Sequence, residues 1–141
     1  MCDGSEGRSW LEAGLVKAIG WTASGELGTP LGPLERIFQG VERALGWSDA
    51  STPPARFRLW VGPFADPRTY RSNAVDTLKR IVARAGLKPL SSVLDVGCGC
   101  GLLADPLTKF LDGTAKYEGF DIEPHVIDWC RSQITSRHPL F

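Results

Sequence analysis

Hydrophobic residues in the first part of the chain recur at the spacing of amphipathic helices. Leu11, Leu15 and Ile19 lie four residues apart, which predicts a first helix with one apolar face. A glycine-rich loop follows. Pro33 suits the first position of a second helix, and Gly46 ends that helix. The apolar face predicted for the second helix consists of Leu34, Ile37, Phe38, Val41 and Leu45.

Residues 1–55 are therefore predicted to form a helical N-terminal extension. Residues 51–54, which include two prolines, are interpreted as a linker. Tryptophan is frequent in this extension, and its large apolar ring is expected to pack between the helices. These tryptophans are Trp10, Trp21 and Trp47.

Patterns typical of strands and helices alternate over residues 56–141. Residues 57–61 alternate between apolar and polar types, which predicts a short edge strand or an extended arm. A helix with an apolar face is predicted to begin at Ser72 or Asn73 and to end at Gly86.

Two further strands with a helix between them indicate the α/β class. Val93, Leu94 and Val96 are typical of a buried parallel strand. Residues 102–111 predict a helix with a proline near its first turn, where a missing N–H costs little. Residues 115–121 predict the second strand.

The turn after the first of these strands has glycine at every second position. Gly97, Gly99 and Gly101 permit positive φ and let a ligand lie against the main chain. The free N–H groups of the helix that follows are expected to point at that ligand. The pattern predicts a nucleotide-type binding site.

Spacing and charge around this turn favour S-adenosylmethionine over a dinucleotide. The dinucleotide fingerprint needs a third glycine where this chain has Leu102. The Asp95 carboxylate would repel a diphosphate by roughly a few kcal/mol, but it tolerates ammonium and sulfonium groups. Asp121, one helix and one return strand after Gly101, can accept hydrogen bonds from both ribose hydroxyls. Ile122 is expected to pack on one face of the adenine ring.

The run D-V-G-C-G-C-G, followed by G-F-D-I-E-P, resembles the first two motifs of class I S-adenosylmethionine-dependent methyltransferases. The resemblance covers residues 87–141 and is to the methyltransferase-domain type found widely in bacteria. It implies a Rossmann-like methyltransferase sandwich in which Asp95 and the loop hold the methionine end and Asp121 holds the ribose. Leu102 departs from the pattern, because many relatives carry a basic residue there. The cofactor-binding residues implied are Asp95, Gly97, Cys98, Gly99, Gly101, Asp121 and Ile122.

The same resemblance implies a larger sheet than this chain supplies. Two parallel strands cannot bury both faces of a sheet. We therefore expect residues 56–141 to be the N-terminal part of a methyltransferase domain, belonging to a longer enzyme or to a truncated gene product.

Composition narrows the range of partners. The 141 residues include 16 Lys and Arg against 16 Asp and Glu, so nucleic acid is not indicated. A basic cluster between Arg56 and Lys88 is interpreted as a solvated helix face and loop. No apolar run is long enough to span a membrane, no secretory signal is recognised, and a cytoplasmic location is expected. Cys98 and Cys100 are expected to be small reduced side chains in tight space, with no metal site.

Three functions stay open on the sequence alone. The first is methyl transfer from S-adenosylmethionine, with this chain supplying the cofactor-binding half. The second is a fragment of a dinucleotide-binding oxidoreductase, and the third is a non-catalytic interaction module that uses the tryptophan-rich helices. Methyl transfer depends mainly on alignment, and neither His125 nor His138 is predicted to be a catalytic base. The methyl acceptor and the oligomeric state are left open.

Overall fold

The computed structural model describes residues 4–23 and 26–138, with the backbone alone over residues 4–10. Helices pack on one face of a two-stranded parallel sheet, so the class is α/β. No helix in these described ranges is both long enough and apolar enough to cross a membrane. The elements in chain order are α1 (Gly4–Thr22), α2 (Pro33–Ala44), α3 (Ala55–Val61), α4 (Pro67–Ala85), β1 (Val93–Val96), α5 (Ala104–Phe110), β2 (Tyr117–Phe120), α6 (Pro124–Gln133) and a 3₁₀ turn (Thr135–Arg137).

The N-terminal helices share a small core in which α1 packs against α2 and α3. Ile19, Ala23 and Ala55 are its buried residues. Trp47 is buried, whereas Trp21 is exposed, so the predicted packing of the tryptophans is wrong at Trp21. The Trp10 side chain lies outside the described part. The partly buried residues packed on this core are Leu15, Phe38 and Leu59.

Helix α2 presents to solvent much of the apolar face that was predicted to be buried. Leu34, Ile37 and Leu45 are exposed. The buried residues of α2 are instead Glu35 and Glu42. These two acids lie seven residues apart and therefore on the same face of the helix. The expectation for the three apolar residues is wrong because the inward side of α2 carries Glu35 and Glu42, together with Phe38, which packs on the N-terminal core.

The partners of these acids belong to α3, the segment predicted over residues 57–61 to be an edge strand or an extended arm. Arg56 Nε donates to the two carboxylate oxygens of Glu35 at 2.9 and 3.1 Å. Arg58 donates to Glu42 at 2.6 and 3.2 Å. Both arginines are buried, so the predicted solvation of the basic cluster is wrong at these two positions. The helical conformation is favoured because both arginines can then donate to carboxylates and carbonyl oxygens of the surrounding segments.

Helix α4 begins earlier than Ser72 or Asn73, the two predicted caps. The Asp66 side chain caps it by accepting a hydrogen bond from the Arg68 backbone N–H at 2.8 Å. The predicted end at Gly86 is confirmed, with φ of 66° in the left-handed region. Helix α4 thus reaches the first strand through a glycine cap.

Strands β1 and β2 are parallel and adjacent, as predicted, and α5 connects them. Val93 lies opposite Tyr117, and Val96 lies opposite Phe120. Leu107 of α5 is fully buried against the face of the sheet that carries Val93 and Tyr117. This register brings the carboxyl ends of both strands to one edge, where the glycine turn begins.

The opposite face of the sheet is open to solvent. Leu94, Val96 and Phe120 are 65%, 68% and 53% exposed. The prediction of a buried strand is therefore wrong for Leu94 and Val96, although Val93 is half-buried. The reason is architectural: among the described residues, the helices cover only one face of the sheet.

Candidate functional site

The turn between β1 and α5 has the backbone conformation predicted for it. Gly97, Gly99 and Gly101 have φ of 77°, 53° and 84°, all in the left-handed region. The N–H groups of Gly97 and Cys98 donate to the Phe120 carbonyl at 2.8 and 3.1 Å. Hydrogen bonds to β2 therefore fix the start of the glycine loop, which we define as residues 97–101.

The three glycines differ in what surrounds them. A methyl group added at Gly99 would collide with the Val61 side chain of α3. One added at Gly101 would come within 2.5 Å of the Ile134 Cδ1 atom. One added at Gly97 would meet no atom within 4 Å. Close packing therefore explains two of the glycines, while Gly97 leaves open space for a ligand against the main chain.

The structure brings Asp121 to the glycine loop. Its Oδ2 atom accepts a hydrogen bond from the Gly99 N–H at 2.9 Å, and its Oδ1 atom accepts one from the Glu123 N–H at 3.0 Å. A carboxylate has about four acceptor positions, so further acceptor capacity is left for hydroxyl donors. Ile122, the next residue, is 95% exposed.

Asp95 at the end of β1 is half-buried and bonded to a residue that the sequence did not single out. The Tyr117 hydroxyl donates to its Oδ2 atom at 2.9 Å. Burial raises the pKa of Asp95 above its usual value, and the negative charge of Asp121 raises it further, against the lowering effect of the Tyr117 hydrogen bond. Two carboxylates thus lie at the carboxyl ends of adjacent strands, close enough to interact. The sequence marks Tyr117 only by its place in the second strand. It lies two residues before Gly119, the residue opposite Asp95.

Cys98 and Cys100 are both buried in the loop, as expected of small side chains in tight space. The Cys100 thiol lies 3.5 Å from the Phe57 carbonyl oxygen and 3.5 Å from the Tyr70 hydroxyl. Burial raises the pKa of Cys100 to about 11. Within the described ranges, no group of three or more His, Cys, Asp or Glu side chains is arranged to hold a metal ion.

The remaining predicted positions lie around the loop rather than in it. Leu102 packs in the cluster formed by Tyr70 and Val126, so its side chain is part of the core. An open groove of about 640 Å³ lies between α3 and the start of α6, with Trp60, Glu123 and His125 among its lining residues. His125 lies against Gly28, and its Nε2 atom is 4.0 Å from the Glu123 carboxylate.

The chain was also compared with known families and known structures. No family model matches it, and no solved structure matches it. The case for a function therefore depends on the glycine loop, on Asp95 and Asp121, and on the sequence resemblance described above.

Proposed function

We propose that this chain supplies the cofactor-binding part of an S-adenosylmethionine-dependent methyltransferase with a Rossmann-like sandwich. One observation carries the proposal: an exposed left-handed glycine, Gly97, begins a turn beside carboxylates from two adjacent parallel strands. The cofactor would lie against the main chain at Gly97, with its methionine end near Asp95 and its ribose at Asp121.

The charge of the site supports a cationic ligand over a diphosphate. Two unit charges about 4 Å apart interact by about 4 kcal/mol at an effective dielectric of 20. Asp95 and Asp121 would impose a repulsion of this order on a pyrophosphate held at the turn. The same carboxylates would favour the ammonium and sulfonium groups of S-adenosylmethionine.

The shape of the site supports an adenosyl ligand. The unused acceptor positions of Asp121 suit two ribose hydroxyls, and the exposed Ile122 side chain suits one face of adenine. The chemistry itself asks mainly for alignment of the methyl group with its acceptor.

The exposed sheet face is also consistent with a sandwich. An α/β sandwich has helices on both faces of a parallel sheet. Leu94, Val96 and Phe120 are apolar, as a sheet face under a second helical layer would be. The proposal requires such a layer from the same protein or from another chain.

Calorimetric titration tests the proposal. S-adenosylhomocysteine is expected to bind and NAD is not. Asp121→Ala is expected to weaken the binding of S-adenosylhomocysteine at least about tenfold, because charge-assisted hydrogen bonds are lost. Asp128→Ala is the matched control, since this acid is exposed on α6 and pairs with Arg131 one turn away. Binding of NAD, or an Asp121→Ala variant with unchanged affinity, would refute the assignment.

A second candidate function is a non-catalytic interaction module, which the outward apolar residues of α2 favour. Leu34 and Ile37 of that helix and Leu45, which caps its C-terminal end, form an exposed stripe along one side. Exposed apolar stripes of this kind often mark protein-binding surfaces. Absence of heat with both S-adenosylhomocysteine and NAD would favour this function over the first.

A further inference from the structure

Two thiols meet at the glycine loop, one from the loop itself and one from α6. The Cys98 thiol lies 3.8 Å from the Gly99 carbonyl oxygen, and the Cys130 thiol lies 3.4 Å from the same oxygen. A methyl group added at Gly101 would also come within 3.3 Å of the Cys130 Sγ atom. Both thiols thus lie beside the same carbonyl oxygen. Cys130 is therefore held against the loop beside Cys98.

Their proximity makes the two thiols unequal. The neighbouring Cys130 thiol lowers the pKa of Cys98, although burial and the nearby aspartates oppose this. The same interaction raises the pKa of Cys130, as does its burial. The thiolate is the reactive form of cysteine, so Cys98 is the nucleophile of the pair and Cys130 is its neighbour.

Small reagents can approach this pair from one side. A cleft of about 420 Å³ between β2 and α6 includes both Cys98 and Cys130 in its lining, together with Gly119, Ile127 and Ile134. Cys100 lines a different region, since its thiol faces Phe57 and Tyr70 in a buried cluster.

We propose that Cys98 and Cys130 form a dithiol that a hydroperoxide converts reversibly to a disulfide, linking the glycine loop to α6. The Cys98 thiolate attacks one oxygen of hydrogen peroxide, the O–O bond breaks, and hydroxide leaves, giving a sulfenic acid. The Cys130 sulfur then attacks the Cys98 sulfur, the S–O bond breaks, and water leaves with the Cys130 proton. Two thiols are oxidised by two electrons, and one peroxide is reduced to two waters. A thiol reductant reverses the reaction.

Peptide mapping tests this proposal without any cofactor. The reduced chain carrying Cys2→Ser is treated with hydrogen peroxide, blocked with N-ethylmaleimide and digested with trypsin without reduction. The expected product is a disulfide between the peptides of residues 85–109 and 117–131, which contain Cys98 and Cys130. Because the first peptide also contains Cys100, the same product must form in Cys100→Ser and be absent in Cys98→Ser.

A second variant keeps the test decisive if Cys98→Ser does not fold. In Cys130→Ser the sulfenic acid on Cys98 lacks the thiol proposed to condense with it, and the Cys100 thiol faces Phe57 and Tyr70 instead. Dimedone is therefore expected to label Cys98 at least about ten times faster than Cys100. A Cys98–Cys100 disulfide, a crosslink between two chains, or equal labelling of Cys98 and Cys100 would overturn the proposal.

Discussion

Replacing Arg58 by methionine tests whether buried ion pairs hold the N-terminal helices in place. The Arg58 side chain is fully buried. Its guanidinium donates to Glu42 of α2. It also donates to the carbonyl oxygens of Pro53 at 2.7 Å, Ala65 at 2.8 Å and Phe64 at 3.1 Å. One side chain thus satisfies a carboxylate and three backbone acceptors.

The magnitude follows from what Arg58→Met leaves behind. The Glu42 side chain, only 2% exposed, would carry an uncompensated charge. Breaking a buried ion pair on one side costs about 3–5 kcal/mol, and each stranded carbonyl costs about 1–3 kcal/mol unless water reaches it. A domain has about 5–15 kcal/mol of stability in all. We expect Arg58→Met to lose at least about 4 kcal/mol, which is a large part of the stability of a domain.

Urea denaturation followed by tryptophan fluorescence measures the loss, in a cycle with Glu42→Leu and the double variant. The double variant has no buried charge, so we expect it to be more stable than Arg58→Met by about 2 kcal/mol. Arg71→Met is the matched control, because Arg71 pairs with Asp49 at the surface at 3.4 Å and such pairs contribute under about 1 kcal/mol. Additive free-energy changes in the cycle, or a loss at Arg58 as small as at Arg71, would refute the reasoning. An unfolded Arg58→Met beside a folded double variant would support it.

Two further predictions concern the glycine loop. Gly97→Ala is expected to lower the free energy of unfolding by about 1–2 kcal/mol through its left-handed φ alone. Gly99→Ala is expected to lower it by about 1–3 kcal/mol more, because the added methyl group overlaps Val61. Equal urea midpoints for the two variants would contradict this. The raised pKa of Asp95 means that the folded chain favours its protonated form, so this stabilisation is present below pH 3.8 and is lost as the pH rises through the folded-state pKa. Asp95→Asn, which keeps an acceptor for Tyr117, is therefore expected to raise the melting temperature at neutral pH and to lose that advantage below pH 3.8. If calorimetry shows that the difference in melting temperature between Asp95→Asn and the unaltered chain does not change with pH, the Asp95 carboxylate is not destabilised by folding.

The segment from β1 to β2 could be predicted from sequence because its determinants are local. Glycines at alternate positions specify left-handed turns, and the helix between two short apolar runs specifies a parallel crossover. The position of Asp121 at the carboxyl edge of the sheet could be predicted for the same reason. The open sheet face at Leu94 and Val96 could not be predicted, because apolar composition does not reveal whether a second layer covers the strand.

The orientation of α2 could not be read from its own pattern. Its apolar stripe predicted a buried face, yet Glu35 and Glu42 are buried because their partners lie on α3. Because each acid is far in sequence from its arginine, the pairing does not show in the residue pattern of a single helix. The one hint was the spacing of the two acids, since i and i+7 place them on one face.

Helix α3 contacts both α2 and the glycine loop. It carries Arg58, which anchors it to α2, and Val61, which packs against Gly99 in the glycine loop. The predicted boundary between residues 55 and 56 therefore falls inside an element that contacts both sides of it. Because Val61 lies on α3, loss of the Arg58 ion pair is expected to displace Val61 from Gly99 if it displaces α3. The N-terminal helices are in this sense part of the support of the candidate site, and a fragment that begins after α3 would present a glycine loop uncovered at Gly99.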